Sequence, residues 1–397
     1  MKIDHIETLH LRYPYPAEKC FKYAGGTCTG RLTSLVLVHT DGGKTGVGAA
    51  YSHPGLVELV VKHQLEPLLK GRDPREVETL WDFMYRLTRW YGRKGAALTA
   101  LGGIDTALWD LRGQAAGQPV WKLLGGTRPA CPAYASALLW NTLPALAAEA
   151  RGHIDRGFRR VKMRLARSEE YDTSAVEAVR QAIGPDHDLM ADASMRYDLP
   201  LARRIGKVLA ANKVFWYEEP FQPEDFENYS LLRGTVGVPL AAGENEFGLQ
   251  GFRELIRERA VNIVQPDACR AGGISEVVRV GQAAAAAGLR VATHTWSDAP
   301  TVIANAHAVS AMPNGVTVEI DQTGNPFIDE LLAEPLRVID GQLQLSQAPG
   351  LGIELNRTVV DRYRLSDSFN IPPGNYSDML FGPEHYTPGP AYETRKP

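Results

Sequence analysis

Between residues 130 and 321, short apolar runs recur at near-constant spacing and close on polar or charged residues. LMAD ends at Asp192, VFWYE at Glu218 and PLAAGE at Glu244, with 26 residues from each acid to the next. That interval fits one strand, one helix and two loops, so the three carboxylates occupy the same point of three successive βα units. Further rungs continue on both sides. RRVKMR ends with Lys162 and Arg164, VNIVQPD at Asp267, LRVATH at His294 and GVTVE at Glu319, the last three at steps of 23, 27 and 25 residues. Helix-like stretches such as YDTSAVEAVRQAIG and ISEVVRVGQAAAAAG fill the gaps, with Gly184 and Gly288 where a helix C-terminus wants glycine. With PAYASALLW (132–140) as the first strand, the count is eight, which predicts a closed parallel barrel.

Residues 1 to about 128 do not keep this period. LTSLVLVHTDGGKTGVGAAY reads as a hairpin turning at Asp41-Gly42-Gly43, and the pattern from Pro54 to about Leu124 is helical. An α+β domain therefore precedes the barrel. Within it, Cys20 to Gly30 and Tyr51 to Pro54 suit loops that cover a barrel mouth. Trp109 and Trp121 fall at helical spacing and are expected in the core. Beyond PGLGIEL (349–355) the chain is rich in Pro, Gly and Tyr with little periodicity, and is expected to be an extended tail.

Composition narrows the function classes. A chain of 397 residues with 44% apolar residues buries a large core, and a net charge of −3 with no basic stripe disfavours nucleic acid and anionic membranes as partners. No apolar run reaches the ~18 residues of a membrane span, MKIDHIETLHLRYPYP lacks a signal core, and the four cysteines have neither metal-type spacing nor a disulfide framework. A soluble cytoplasmic protein is expected.

In a closed parallel barrel, acids at three adjacent strand ends converge at one mouth and repel each other unless a cation lies between them. Asp192, Glu218 and Glu244 thus predict a divalent metal site, and hard oxygen donors without Cys or His favour Mg²⁺ over zinc. Lys162 and Arg164, two apart on one strand, share the inward face.

IDTALWDLRGQAAGQPVWKLLGG (104–126), VKMR (161–164), MADAS (190–194), WYEEP (216–220), AGEN (242–245), QPDACRAGG (265–273), ATHT (292–295) and VTVEID (316–321) stand in order and in register. In these pieces the chain resembles the mandelate racemase subgroup of the enolase superfamily. The resemblance implies an α/β fold, a (β/α)7β modified TIM barrel with an N-terminal α+β capping domain. It also implies capping residues 1–128, barrel residues 129–352, a segment 353–397 returning to the capping domain before the tail, and a homo-oligomer, often an octamer.

The chemistry implied is removal of the proton α to a carboxylate, giving an enediolate stabilised by Mg²⁺ with Lys162 and Arg164 nearby. His294 is the expected base, with Asp267 accepting its second N–H. Glu319 resembles the family's hydrogen-bond donor to a substrate carboxylate, a role that requires a raised pKa. The aspartate at 267, where muconate-lactonizing relatives carry lysine, is the racemase-subgroup pattern. Arg164 departs from it, standing where that subgroup has a second lysine base, and arginine is a poor proton acceptor. One-base chemistry follows, most simply dehydration of a sugar acid to a 2-keto-3-deoxy acid with His294 as base and then acid. Cycloisomerisation of a sugar-acid lactone, epimerisation and a catalytically silent metal-binding relative are the alternatives, and the partner is a small carboxylic acid or its lactone. Tyr23, His53, Ser194 and Trp296 are candidate substrate contacts, Glu219 a structural acid, and Asp298, His307 and Asp321 ordinary polar residues.

Overall fold

The computed structural model describes residues 1–372 and 374–376. At the N-terminus, β1 (Ile3–Pro14) begins an antiparallel sheet, and β2 (Phe21–Tyr23) and β3 (Gly26–Cys28) form a separate small hairpin. β4 (Gly30–Thr40) lies between β1 and β5 (Thr45–Ala50), and its near-continuous burial is that of a central strand covered on both faces. Helices α1 (Pro54–Val60), α2 (Glu66–Leu69) and α4 (Ala96–Ala116) pack on this sheet, while α3 (Val77–Thr88) and α5 (Val120–Leu123) pack on α4 and on helices of the barrel. The 21-residue α4 is buried along most of its length because it is sandwiched between that sheet and the barrel.

The barrel strands are β6 (Ala130–Ser136), β7 (Arg160–Arg164), β8 (Asp188–Asp192), β9 (Trp216–Glu218), β10 (Leu240–Ala242), β11 (Ile263–Val264), β12 (Arg290–Thr293) and β13 (Gly315–Asp321). Each pairs in parallel with the next and β13 pairs with β6, so the sheet closes on itself. The intervening helices are α6 (Leu143–Asp155), α7 (Glu169–Ile183), α8 (Leu199–Ala211), α9 (Phe226–Leu232), α10 (Gly248–Arg257), α11 (Ile274–Ala286) and α12 (Ala299–Ser310). Side chains of Thr142, Ser168, Asp198, Asp225 and Asp298 accept backbone N–H bonds at five of these N-termini. Gly184 ends α7 at φ 75° and Gly288 follows α11 at φ 71°, the left-handed backbone glycine adopts most easily.

Past the barrel come α13 (Pro326–Asp329), the short pair β14 (Val338–Ile339) and β15 (Gln342–Gln344), and α14 (Arg357–Tyr363). The chain then returns to the N-terminal domain, where β16 (Asn375–Tyr376) adds to β4 in parallel. The tail expected further on lies outside the described residues from 377 onward.

The seam between the domains is polar as well as apolar. Asp105 on α4 accepts the N–H and hydroxyl of Ser275 at 2.9 and 2.6 Å at the start of α11, and Trp109 Nε1 donates to the same hydroxyl at 2.9 Å. Trp109 and Trp121 are buried as expected, and both also donate across packed elements, Trp121 to the Ser346 carbonyl.

Candidate active site

Inside the barrel, Tyr134, Met190, Trp216, Ala241, Ile263 and Ala292 pack together as an apolar floor. Strand side chains alternate, so the residue two positions on faces the same interior, one level nearer the C-terminal mouth. Met190 is followed in this way by Asp192, Trp216 by Glu218 and Ala292 by His294. One pleat repeat separates a packed core from a charged cluster.

One ligand atom from each of Asp192, Glu218 and Glu244 lies within 4.8 Å of the others, the geometry of a shared cation site. Glu244 does not end a strand, because β10 stops at Ala242. The chain turns at Gly243, φ 129°, where an added Cβ would approach the Phe252 ring to 2.8 Å and the Gln265 nitrogen to 3.0 Å. Only glycine fits, and that turn carries Glu244 to the mouth. Glu244 Oε2 is buried with no hydrogen-bond partner, and a buried anionic oxygen so placed fits a cation ligand. Ser194 is held at φ 47°; its N–H and hydroxyl donate to Asp192 Oδ1 at 2.7 and 3.2 Å, so it braces a cluster acid.

Lys162 is fully buried, bonded to Glu218 and 2.8 Å from Glu319. Burial lowers its proton affinity, but Glu218 and Glu319 outweigh that and raise its pKa, so it is a cation. Arg164 pairs with Asp192 and lies over the Trp296 ring, 4.6 Å from its centre. Trp296 carries a second cation, Arg31 of β4, at 5.0 Å on its ring, and Arg31 pairs with Asp321 at 2.8 Å. The capping domain is thereby pinned to the last barrel strand. Asp321, read as ordinary, is the counterion of a buried arginine; Asp298 caps α12 and accepts from Thr33 of β4.

His294 Nδ1 meets Asp267 Oδ2 at 2.8 Å, and Nε2 lies 3.7 Å from Glu244 and 3.9 Å from Glu319. Burial depresses the imidazole pKa, but Glu244, the Asp267 hydrogen bond and Glu319 prevail and raise it. The ring of Tyr51, from the capping domain, stacks on His294 at 6.5 Å and 29°.

Glu319 corrects the expectation of a raised pKa. Burial favours its acid form, but Lys162, His294 and Arg164 pull the pKa down to about 2. Its Oε2 accepts the Thr295 N–H at 2.9 Å. Glu219, at φ 38°, has its pKa raised by burial and by Glu244 and Glu218, and accepts from Asn245 at 3.1 Å.

The capping-domain candidates divide. His53 is the N-cap of α1, its Nδ1 accepting the Gly55 N–H at 3.1 Å. Tyr23 sits on the β2–β3 hairpin, where its ring is 6.4 Å from Phe21, and Phe21 lies under Arg31 at 5.6 Å. Arg31 and Asn305 were not singled out from the sequence; a lone arginine in LVLV-type strand context and a lone Asn in an Ala/Val helix were the signals available.

Residues 145–359 match the enolase C-terminal domain-like family, and residues 6–125 the mandelate racemase / muconate lactonizing enzyme N-terminal domain. The chain is 34% identical to a D-galactarolactone cycloisomerase of Agrobacterium fabrum over 92% of its own length and 100% of that protein's. It is 32% identical to an arabinonate dehydratase of Saccharolobus solfataricus over 82% of its length and 89% of that protein's. The crystal structure of L-talarate dehydratase from Polaromonas sp. JS666, complexed with Mg and L-glucarate, superposes with a TM-score of 0.81 at 28% identity, covering 92% of this chain and 98% of that one.

Proposed function

We propose that this chain, which belongs to the mandelate racemase / muconate lactonizing enzyme family of the enolase superfamily, dehydrates a sugar acid to a 2-keto-3-deoxy acid with His294 as the single base. The observation that carries the reading is the buried His294–Asp267 pair, 2.8 Å apart, whose free Nε2 faces the carboxylate cluster while arginine stands at position 164. Asp267 accepts Nδ1–H and so leaves the Nε2 lone pair for the substrate.

Asp192, Glu218 and Glu244 would hold Mg²⁺, which when bound supplies positive charge to the substrate carboxylate as negative charge gathers there. Lys162 adds a fixed cation to the same oxygens, and Glu319 and Glu218 hold it in place. His294 Nε2 takes the α-proton and the C–H electron pair enters the enediolate. As the enediolate collapses, the β-carbon–oxygen bond breaks, and the imidazolium returns its proton to the departing hydroxyl as water. The resulting enol ketonises to the 2-keto acid. Arg164 binds rather than transfers protons, since guanidinium does not deprotonate at ordinary pH, and its position over Trp296 orients its fork.

A second reading has support in the similarity to a lactone cycloisomerase. There the same base and enediolate serve, and a ring oxygen departs in place of hydroxyl. A Mg²⁺-dependent screen of aldonic and aldaric acids and their lactones, read by semicarbazide for keto acid, separates the two. Keto acid from an open-chain acid supports dehydration; lactone consumption without loss of water from any open-chain acid replaces it with cycloisomerisation.

A further inference from the structure

Asn305 sits mid-helix on α12, in APTVIANAHAVS, where a buried asparagine is a weak helix former and is costly unless its amide is bonded. Here every polar atom is used. Nδ2 reaches Asp267 Oδ1 at 3.0 Å, the His294 carbonyl at 3.1 Å and Thr295 Oγ1 at 3.0 Å, while Oδ1 accepts the Ala268 N–H at 3.0 Å. One amide therefore ties the loop after β11 to the end of β12. Asp267 Oδ1 also accepts the Cys269 N–H at 3.0 Å and its thiol at 3.2 Å. Its Oδ2 is left to His294 alone among these contacts.

The carboxylate plane of Asp267 is fixed from one side so that its other oxygen meets Nδ1. The backbone carbonyl of His294 is held by the same group, and Thr295, its neighbour, donates its N–H to Glu319. A small rotation of Asp267 or of residues 294–295 would turn the imidazole away from a substrate carbon or release the competing tautomer, and misplacement on that scale is what costs catalytic rate.

We propose that Asn305 is a positioning residue of the proton-transfer pair: it orients Asp267 and the His294 backbone so that His294 keeps the Nδ1–H tautomer and aims Nε2 at the reacting carbon. This rests on the reading of His294 as the base. It touches no reacting atom itself.

The test uses the full-length Mg²⁺-loaded protein with Asn305→Leu, close in shape but without donors, and Asn305→Ser, which keeps one. Proton NMR far downfield reads the His294 Nδ1–H, assigned by its loss in His294→Asn, and needs no substrate. Asn305→Leu is expected to shift or lose that resonance, to lower kcat about 10- to 100-fold with KM within about threefold, and to leave Mg²⁺ affinity by calorimetry unchanged; Asn305→Ser recovers part of both signals. An unshifted resonance in both variants overturns the proposal, as does a kcat loss that arrives together with lost Mg²⁺ affinity. Should Asn305→Leu not fold, the Asn305→Ser resonance decides in the same way. If no sugar acid turns over in the wild type, the proposed function fails while the NMR arm still decides this one.

Discussion

Two buried histidines, one at the barrel mouth and one at the seam between the domains, are 13 residues apart and have opposite electrostatics. His294 faces Asp267, Glu244 and Glu319, and its pKa is raised. His307 on α12 is surrounded by neutral backbone: Nδ1 accepts the Trp121 N–H at 2.8 Å and Nε2 donates to the Leu351 carbonyl at 3.1 Å. Burial lowers its pKa to about 4, with only the Leu351 bond opposing. Both rings are almost fully buried, so burial alone does not make a base. The charges around the ring decide, and they are supplied at the mouth by Glu244, Asp267 and Glu319 and withheld at the seam.

Replacing the mouth histidine is the harshest way to break this contrast. His294→Asn should lower kcat by about 10⁴-fold, the upper end of what a positioned base contributes, and abolish exchange of the α-proton with solvent deuterium, with little change in thermal stability. Turnover or exchange within tenfold of wild type would remove His294 as the base. The mouth's other property is its cluster of three acids, Asp192, Glu218 and Glu244. At about 100 times its Kd, Mg²⁺ should stabilise the wild type by about 2.7 kcal/mol, seen as a higher midpoint in thermal unfolding. Glu244→Gln, which neutralises the cluster acid with the orphaned oxygen, should erase most of that shift. An equal shift in the variant would take Glu244 out of the ligand set.

At the seam the cost falls on folding. His307→Leu leaves the Trp121 N–H and the Leu351 carbonyl buried without partners, each worth about 1–3 kcal/mol, and kcat should not change. A lowered denaturation midpoint with intact kcat is the expected pair of results; lost kcat at unchanged stability would place His307 in the reaction.

The comparison also marks what the chain discloses before it folds. The 26-residue rhythm of Asp192, Glu218 and Glu244 was legible because a βα unit has a nearly fixed length and strand ends all reach one mouth. Asp267 and His294 followed from the same rhythm. Glu319 was located, but a lowered pKa was not foreseen, because Lys162 and Arg164 on β7 and His294 just past β12 come near it only when the barrel closes. Glu244 was assigned to a strand end, whereas a glycine turn delivers it. Arg31 was invisible for a related reason: its partner Thr323 is 292 residues away, across the domain seam. Asn305 is 38 residues from Asp267, on a helix outside the barrel wall, and no periodicity links helix positions to strand ends. His53 illustrates the converse, a polar residue in a promising loop whose ring is engaged in capping a helix.

The smallest effect separates the two histidines by the sign of their pH dependence. His307 has a pKa of about 4 in the folded chain and an ordinary value of 6.5. Between those values the unfolded chain holds a proton the folded one does not, so this group makes stability fall as pH drops from about 6.5 to about 4 and adds no slope below. His294, raised in the fold, works the other way: its contribution is fully present below its unfolded pKa and is lost as pH rises through the folded one. His10, also lowered to about 4, shares the acid limb with His307. His307→Gln keeps a donor and an acceptor while removing the proton site, so it should flatten the acid limb by up to about 1.4 kcal/mol per pH unit without abolishing it. Urea midpoints of variant and wild type at pH 7 and pH 5 measure the difference directly, with the carboxylates common to both cancelling. A variant that tracks the wild type at both values would mean that the seam imidazole takes up its proton inside the fold, and the electrostatic distinction between mouth and seam would not hold.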